Sequence, residues 1–346
     1  MENGIVSSSR TDDNKLNIEK WKAKNPGKLD TDSNDYEGSC QEGSEPGISL
    51  QYMRRNVKRD IMEKVVEAIF LLCALVGVVS VAAIIVFVFV KGTRPFVGAD
   101  AYSLRDFLTG TVWAPGNGVY GIFYMITASI LSTAGAILIG VPVGVLTAVF
   151  IAEVAPEGIV KIVKPAIEIL AGIPSVLYGA FGLGVVVPMI MKVTPQVQGQ
   201  SLLAVIIVLS IMILPTIVSL SESAIRAVPK AYREASLGIG ASKVQTIFKV
   251  VLPAAKSGVL SATVLGIGRA IGETMAVMMI AGNPTAGMPE SIWSMVRPLT
   301  TNIAMEMSYA SGRQSEMLFA TGVVLFLFIM MVNMTLIKLT QKAGEK

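Results

Sequence analysis

Six stretches of this chain are long and apolar enough to cross a lipid bilayer, and that limits its fold more than any other feature. They run over about 65–90, 124–150, 166–190, 202–221, 257–281 and 317–337. A hydrocarbon core of about 30 Å is crossed by a helix of about 20 mostly apolar residues. Together the six stretches contain four charged residues: Glu67, Glu168, Arg269 and Glu273. The expected fold class is an all-α polytopic membrane protein with six transmembrane helices.

Charge is spread unevenly along the 346 residues. Of the first 64 residues 23 are charged, against 31 of the remaining 282. The chain average is 16% charged, well under the roughly 25% of a soluble domain. Residues 1–50 are rich in Asp, Asn, Ser, Gly and Lys with no apolar period, so a disordered polar tail on the cytoplasmic side is expected there. A basic juxtamembrane segment, 51–64, follows with Arg54, Arg55, Lys58, Arg59 and Lys64. Met1 to Lys20 lacks an apolar signal-peptide core, so no cleavage is expected. The chain has no histidine, which excludes Ser-His-Asp triads, histidine-ligated zinc or haem, and histidine proton relays. Two cysteines, Cys40 and Cys73, are too few for a four-cysteine metal site or a disulfide framework. No metal site is expected, and a net charge of +4 gives no reason to invoke nucleic acid.

Lys and Arg in the flanking loops set the orientation. With the N-terminus inside, the segments 51–64, 151–165, 222–256 and the C-terminal tail carry 16 basic residues, and the outer loops carry six. This places both termini in the cytoplasm and favours an even number of spans.

The spans are not plain anchors. Pro142, Pro174, Pro188 and Pro215 lie within the second to fourth, beside many glycines. Small residues let helices approach closely, and broken helices also line transport pathways; either reading fits a single Gly or Pro. The run from Leu170 to Gly179, with Gly172, Pro174 and Ser175 at its centre, is the best candidate for a break.

Arg269 lies at the middle of the fifth span, and Glu273 follows one turn later, on the same face of a continuous helix. A charge at that depth costs at least about 2.5–3.5 kcal/mol. Two readings are open from position alone. The pair can neutralise itself and staple the bundle, or Arg269 can meet an anionic substrate. Glu67 and Glu168 lie near the inner ends of their spans and read as interfacial carboxylates close to helix N-termini. Cys73 reads as an inert packing or lipid-facing residue.

The 222–256 loop is the longest inner connection between spans. Pro229 suits a first helical turn, and Gly238 and Gly240 suit the end of that helix. A second amphipathic stretch follows, with Val244, Ile247, Phe248 and Val251 expected on one face, and Pro253 opens the next span. The result is a short helix–turn–helix outside the membrane. It can pack on its own bundle or engage a partner.

Glu234-Ala235-Ser236, three residues, Gly240, nine residues and Val250-Val251-Leu252-Pro253 resemble the cytoplasmic loop of type I ABC importer permeases. Ser236 and Val250 are its two conservative departures. The run Gly268 to Met279, with Ala281-Gly282-Asn283 after it, looks like the C-type permease subunits of phosphate importers, and Ala171 to Ser175 is similar to the same subunits. The resemblance covers about 55–340 and leaves the tail without an assigned role. It implies a type I importer permease domain over 120–338, with 65–90 as a preceding first helix.

The resemblance implies that Glu234, Ala235 and Gly240 dock on an ATPase, with Leu252 and Pro253 orienting the next helix. It implies that Arg269, Glu273 and Thr274 line a path for inorganic phosphate. Its implied partners are an A-type permease subunit, two ATPase subunits and an extracytoplasmic phosphate-binding protein, in the cell (inner) membrane. No G-x-x-x-x-G-K-[ST] run occurs, so ATP is expected on the partner ATPases; this chain needs no cofactor and is not an enzyme. Other readings are a permease for sulfate or molybdate, an ion-coupled secondary transporter, a membrane receptor or scaffold, and an intramembrane enzyme. The secondary transporter predicts more midplane acids and internal repeats, the receptor has no need of the Glu234–Pro253 arrangement, and the enzyme lacks a catalytic pair.

Overall fold

The computed structural model describes residues 46–98, 100–194 and 198–344. The tail expected over 1–50 lies outside the described residues as far as residue 45. Internal contacts divide the chain after Gly77. Helix α1 runs from Pro46 to Thr93, so the chain is already helical over 46–50, where a disordered tail was expected, and through 51–64, ahead of the helix expected at about 65. Pro46 suits a first helical turn. Beyond it Gln51, Met53, Arg54, Arg55 and Lys58 are good helix formers, so the helix continues through the polar stretch without an apolar pattern. In the first unit every side chain from Met62 to Gly77 is exposed.

The second unit, Val78–Lys346, contains everything else. First come α2 (Leu104–Thr109) and a hairpin of two-residue strands, β1 (Trp113–Ala114) with β2 (Val119–Tyr120), in which Trp113 faces Tyr120. Helix α3 (Phe123–Val149) ends in a π-turn, Phe150–Val154. Helix α4 (Glu157–Gly172) follows, then α5 (Ser175–Phe181), a π-turn and α6 (Val187–Val193). Next are α7 (Leu202–Arg226), α8 (Lys230–Gly238), α9 (Lys243–Thr246), a π-turn over Ile247–Val251 and the single turn α10 (Leu252–Ala254). Helices α11 (Lys256–Gly272), α12 (Met275–Ile280), α13 (Leu299–Glu306) and α14 (Gly312–Gly344) complete the chain.

Among the described residues five helices have the length and composition of membrane spans, and six when Lys243–Ala254 and Lys256–Gly272, bent by 70°, count as one broken span. Two of the expected spans differ in detail. The third begins at Ser175, not 166, because α4 ends at Gly172 and Pro174 cannot donate the next helical hydrogen bond. The fifth is interrupted after Gly272, where Glu273 is extended.

Helices α3 and α7 form the centre. A Cβ on Gly135 would lie 2.4 Å from Ile206, on Gly140 2.5 Å from Ile213, and on Gly144 2.8 Å from Ile217. The glycines therefore admit three isoleucines of α7 to the α3 backbone, and the Ser210 hydroxyl donates across to the Ala136 carbonyl at 3.3 Å. In lipid, helices associate through such close packing and interhelical hydrogen bonds. The last turns of α1 lie on α14 in the same way, with Phe87 edge-on to Phe319 and Gly92 against the Phe319 carbonyl.

A polar cap gathers at the end of α13. Glu306 at the end of α13 pairs with buried Arg297, and its Oε2 accepts from Trp113 Nε1 at 2.7 Å and from Gln314 at 3.0 Å. Three separate segments therefore converge on one carboxylate. Burial pushes the Tyr120 phenol up, so it stays neutral beside Trp113. From this cap α13 begins deep, its Leu299 amide bonded to Ser129 of α3 at 3.0 Å.

Gly140→Leu should destabilise the fold by about 1–3 kcal/mol, since four added carbons meet Ile213 and the Ser210 carbonyl. Gly158→Ala, facing open space in α4, should cost less than half as much. Thermal melting of the detergent-extracted protein measures both; equal melting points would contradict the packing account.

Candidate functional site

Two places in the fold gather the charged and polar groups that packing alone does not require. The first is the break between α11 and α12. Helix α11 ends at Gly272, and Glu273 (φ −70°, ψ 127°) and Thr274 lead into α12. Glu273 Oε1 accepts from the Ala276 amide at 3.0 Å, capping α12 where a helix start leaves donors without partners. The Thr274 hydroxyl donates to the Gly272 carbonyl at 3.1 Å. The Glu273 carbonyl accepts from Thr300 of α13 at 3.3 Å.

Arg269 stands one turn before the break. Its Nη1 donates to the Thr216 hydroxyl of α7 at 3.4 Å. Arg269 and Glu273 form no ion pair, and the break removes the shared helical face that a continuous helix would supply. The mutual neutralisation that position alone left open is therefore not the observed arrangement: the carboxylate is turned to the start of α12. Both residues are half-buried. The bonded partner of the Arg269 guanidinium is thus a neutral hydroxyl.

Around the second break, Gly172 and Pro174 are exposed and Ser175 is half-buried. The Tyr178 hydroxyl donates to the Leu170 carbonyl at 2.7 Å, filling one of the acceptors that the end of α4 leaves over. Gly179 lies against the backbone of Ala276, where an added Cβ would come within 2.9 Å. The two broken helices thus meet just beyond their interruptions.

The second place is the 222–256 loop. Pro229 precedes α8, and Gly240 closes the turn after it at φ +90°, a left-handed conformation that costs glycine little. Ser236, where the resembling family has alanine, is buried and bonded to the Thr246 hydroxyl at 2.9 Å. That bond fastens α8 to α9, and Ser242 with Gln245 closes a capping box at the start of α9. Glu234, Ala235 and Gly240 are exposed; Leu252 packs on the inner core cluster and Pro253 is exposed.

The expected single face of Val244, Ile247, Phe248 and Val251 is divided. Ile247 and Val251 are buried, whereas Val244 and Phe248 are exposed. The π-turn over Ile247–Val251 widens the helix and changes the angle between successive side chains. Tyr232, Leu237, Ile239, Val244 and Phe248 all stand exposed on the loop, Ile239 at 87%. Apolar side chains clustered outside the membrane mark a contact surface.

Several residues with chemistry escaped the sequence reading. Thr216, Thr300, Arg297, Glu306 and Trp113 take their roles from partners 9 to 193 positions away. Asn302 is fully buried on α13, and no pattern marked it. Glu222, with its side chain 4% exposed, pairs with Lys164 and Arg226. Only the long, charged inner loop hinted at that network. Among the described residues no cluster of acidic or cysteine side chains suits a metal ion.

The chain matches, over residues 140–343, the family described as binding-protein-dependent transport system inner membrane component. It is 41% identical over 269 residues to the probable ABC transporter permease protein YqgH of Bacillus subtilis, covering 75% of this chain and 86% of that one. It is 34% identical over 264 residues to the phosphate transport system permease protein PstC of Pasteurella multocida, covering 70% and 82%. The fold is similar to a chain of a bacterial ABC transporter involved in the import of the acidic polysaccharide alginate, with a TM-score of 0.60, 15% identity, and coverage of 84% and 99%. The architecture is that of type I ABC importer permeases. This chain belongs to the inner-membrane components of binding-protein-dependent transport systems, the permeases that work with an ATPase and a substrate-binding partner and are not themselves enzymes.

Proposed function

We propose that this chain is the C-type permease subunit of an ATP-driven importer of inorganic phosphate. Its partners would be an A-type permease, two ATPase subunits and an extracytoplasmic phosphate-binding protein, with both termini in the cytoplasm. The observation that carries the reading is Arg269, a mid-span guanidinium with a neutral hydroxyl as its bonded partner, beside a helix interruption. Relatives named for phosphate transport support the choice of ion.

On this reading Arg269 offers its planar fork to phosphate oxygens. Glu273 uses one oxygen to cap α12 and keeps the other for the ion. Inorganic phosphate at neutral pH still carries a proton that a carboxylate can accept a hydrogen bond from; sulfate does not, so the same oxygen repels it. Thr274 adds a hydroxyl at the interruption. The exposed apolar side chains of α8 and α9, together with Glu234, Ala235 and Gly240, form the ATPase contact. Closure of the ATPases would then move the loop and switch the bundle between inward and outward access, provided the two states bind partner and ion differently.

Uptake by the reconstituted complex tests the pathway. Arg269→Met should lower phosphate uptake by roughly tenfold to a hundredfold, the equivalent of one lost charge-assisted contact of about 1.5–3 kcal/mol. Arg269→Lys should fall between that and the wild type. Normal uptake in both assembled variants would remove Arg269 from the path. Glu273→Gln should narrow the preference for phosphate over sulfate, and unchanged selectivity with intact uptake would sink that role. For the loop, Glu234→Arg and Ile239→Asp should each abolish co-purification of the ATPase, and persistent binding would refute docking there.

A further inference from the structure

The inner end of α3 is gripped by two arginines. Arg233 of α8 donates from Nε to both carboxylate oxygens of Glu153, at 3.0 and 3.3 Å, and from Nη2 to Oε1 as well. Its Nη2 also donates to the Ile225 carbonyl at 3.0 Å, and its Nη1 to the Val228 carbonyl at 2.6 Å. The guanidinium thus joins three elements: α8, the end of α7, and the π-turn Phe150–Val154 that contains Glu153. Its side chain is 20% exposed and that of Glu153 11%, so water competes only weakly for the pair.

Arg226 makes the second grip. Its Nη2 donates to the Ile151 carbonyl in the same π-turn at 3.1 Å, and its Nε pairs with Glu222. Glu222 in turn accepts from Lys164 of α4 at 3.2 Å. A π-turn breaks the regular helical hydrogen-bond ladder, and such turns recur at functional positions. Here the carbonyl and the carboxylate it presents are each taken by an arginine from the coupling side of the fold. A bidentate arginine–carboxylate pair resists both sliding and rotation, unlike a point contact.

We infer that the π-turn Phe150–Val154 receives the stroke of the ATPase-docking helix α8, with Arg233 as the positioning residue that transmits its displacement to α3 through Glu153. Helix α3 is the one whose glycines seat it on α7, and α7 carries the Thr216 bonded to Arg269. A pull on the inner end of α3 therefore reaches the helix pair at the proposed ion path. Apolar docking holds the ATPase to the loop, and the Arg233–Glu153 grip converts that docking into movement of the bundle. This inference rests on the importer reading above.

The test uses the full complex in vesicles, with Glu153→Gln, which keeps the acceptor shape, and Arg233→Lys, which keeps the charge and loses the fork. Both variants should assemble and hydrolyse ATP within about twofold of the wild type, while phosphate moved per ATP falls about tenfold, and the double variant should be no worse than either single one. Hydrogen exchange of the Phe150–Ala155 amides reads the same step without reference to the ion carried. It should change on ATP binding in the wild type and stay unchanged in Arg233→Lys. Unchanged phosphate per ATP in the assembled variants, an exchange response equal to the wild type's, a parallel fall in both activities, or failure of the variants to assemble would each overturn the inference and leave the pair purely structural. A wild-type complex that responds in exchange but moves no phosphate would instead strike the choice of ion.

Discussion

The close approach of α3 to α7 is the contact on which the rest of the second unit depends. Three glycines on one helix and three isoleucines on the other bring the two backbones together along most of their length. Lipid supplies little of the hydrophobic drive that assembles a water-soluble core, because a lipid tail is as apolar as isoleucine. What remains is dispersion between well-fitted surfaces and the few hydrogen bonds that cross them. Ser210 on α7 and Ser129 on α3 supply two such bonds, one to α3 itself and one to the deep start of α13.

On this frame the charges divide by purpose. Glu306 is bonded by Arg297, Trp113 and Gln314; Glu222 and Glu153 are bonded by Lys164, Arg226 and Arg233. These acids sit in clusters of donors, so their burial is compensated. Arg269 is different. Its bonded partner is a threonine hydroxyl. The carboxylate four positions later serves the start of α12.

The family match is specific where the sequence motifs are specific. The 222–256 loop folds into the helix–turn–helix that its prolines and glycines suggest, and its departure at Ser236 has a physical use in the bond to Thr246. The apolar side chains left exposed on that loop have no counterpart on an ordinary solvated connection.

Much of the architecture was legible in the residues alone. Apolar length determined the spans, because a backbone in lipid has to satisfy its own hydrogen bonds as helix. Pro174 after Gly172 was enough to place one interruption, since proline removes a donor and disfavours helix at the residue before it. Other features were not legible. The break at Glu273 has no proline; it forms because the carboxylate finds the Ala276 amide, and the Thr300 hydroxyl, 27 positions on, finds the Glu273 carbonyl. The π-turn over Ile247–Val251 divided a face that a regular helix would have kept whole. The grip of Arg233 on Glu153 joins residues 80 positions apart. Helical periodicity is a local property that a sequence carries openly, whereas the partner of a charge is chosen by whichever groups packing brings within 3 Å, and only the tertiary structure decides that.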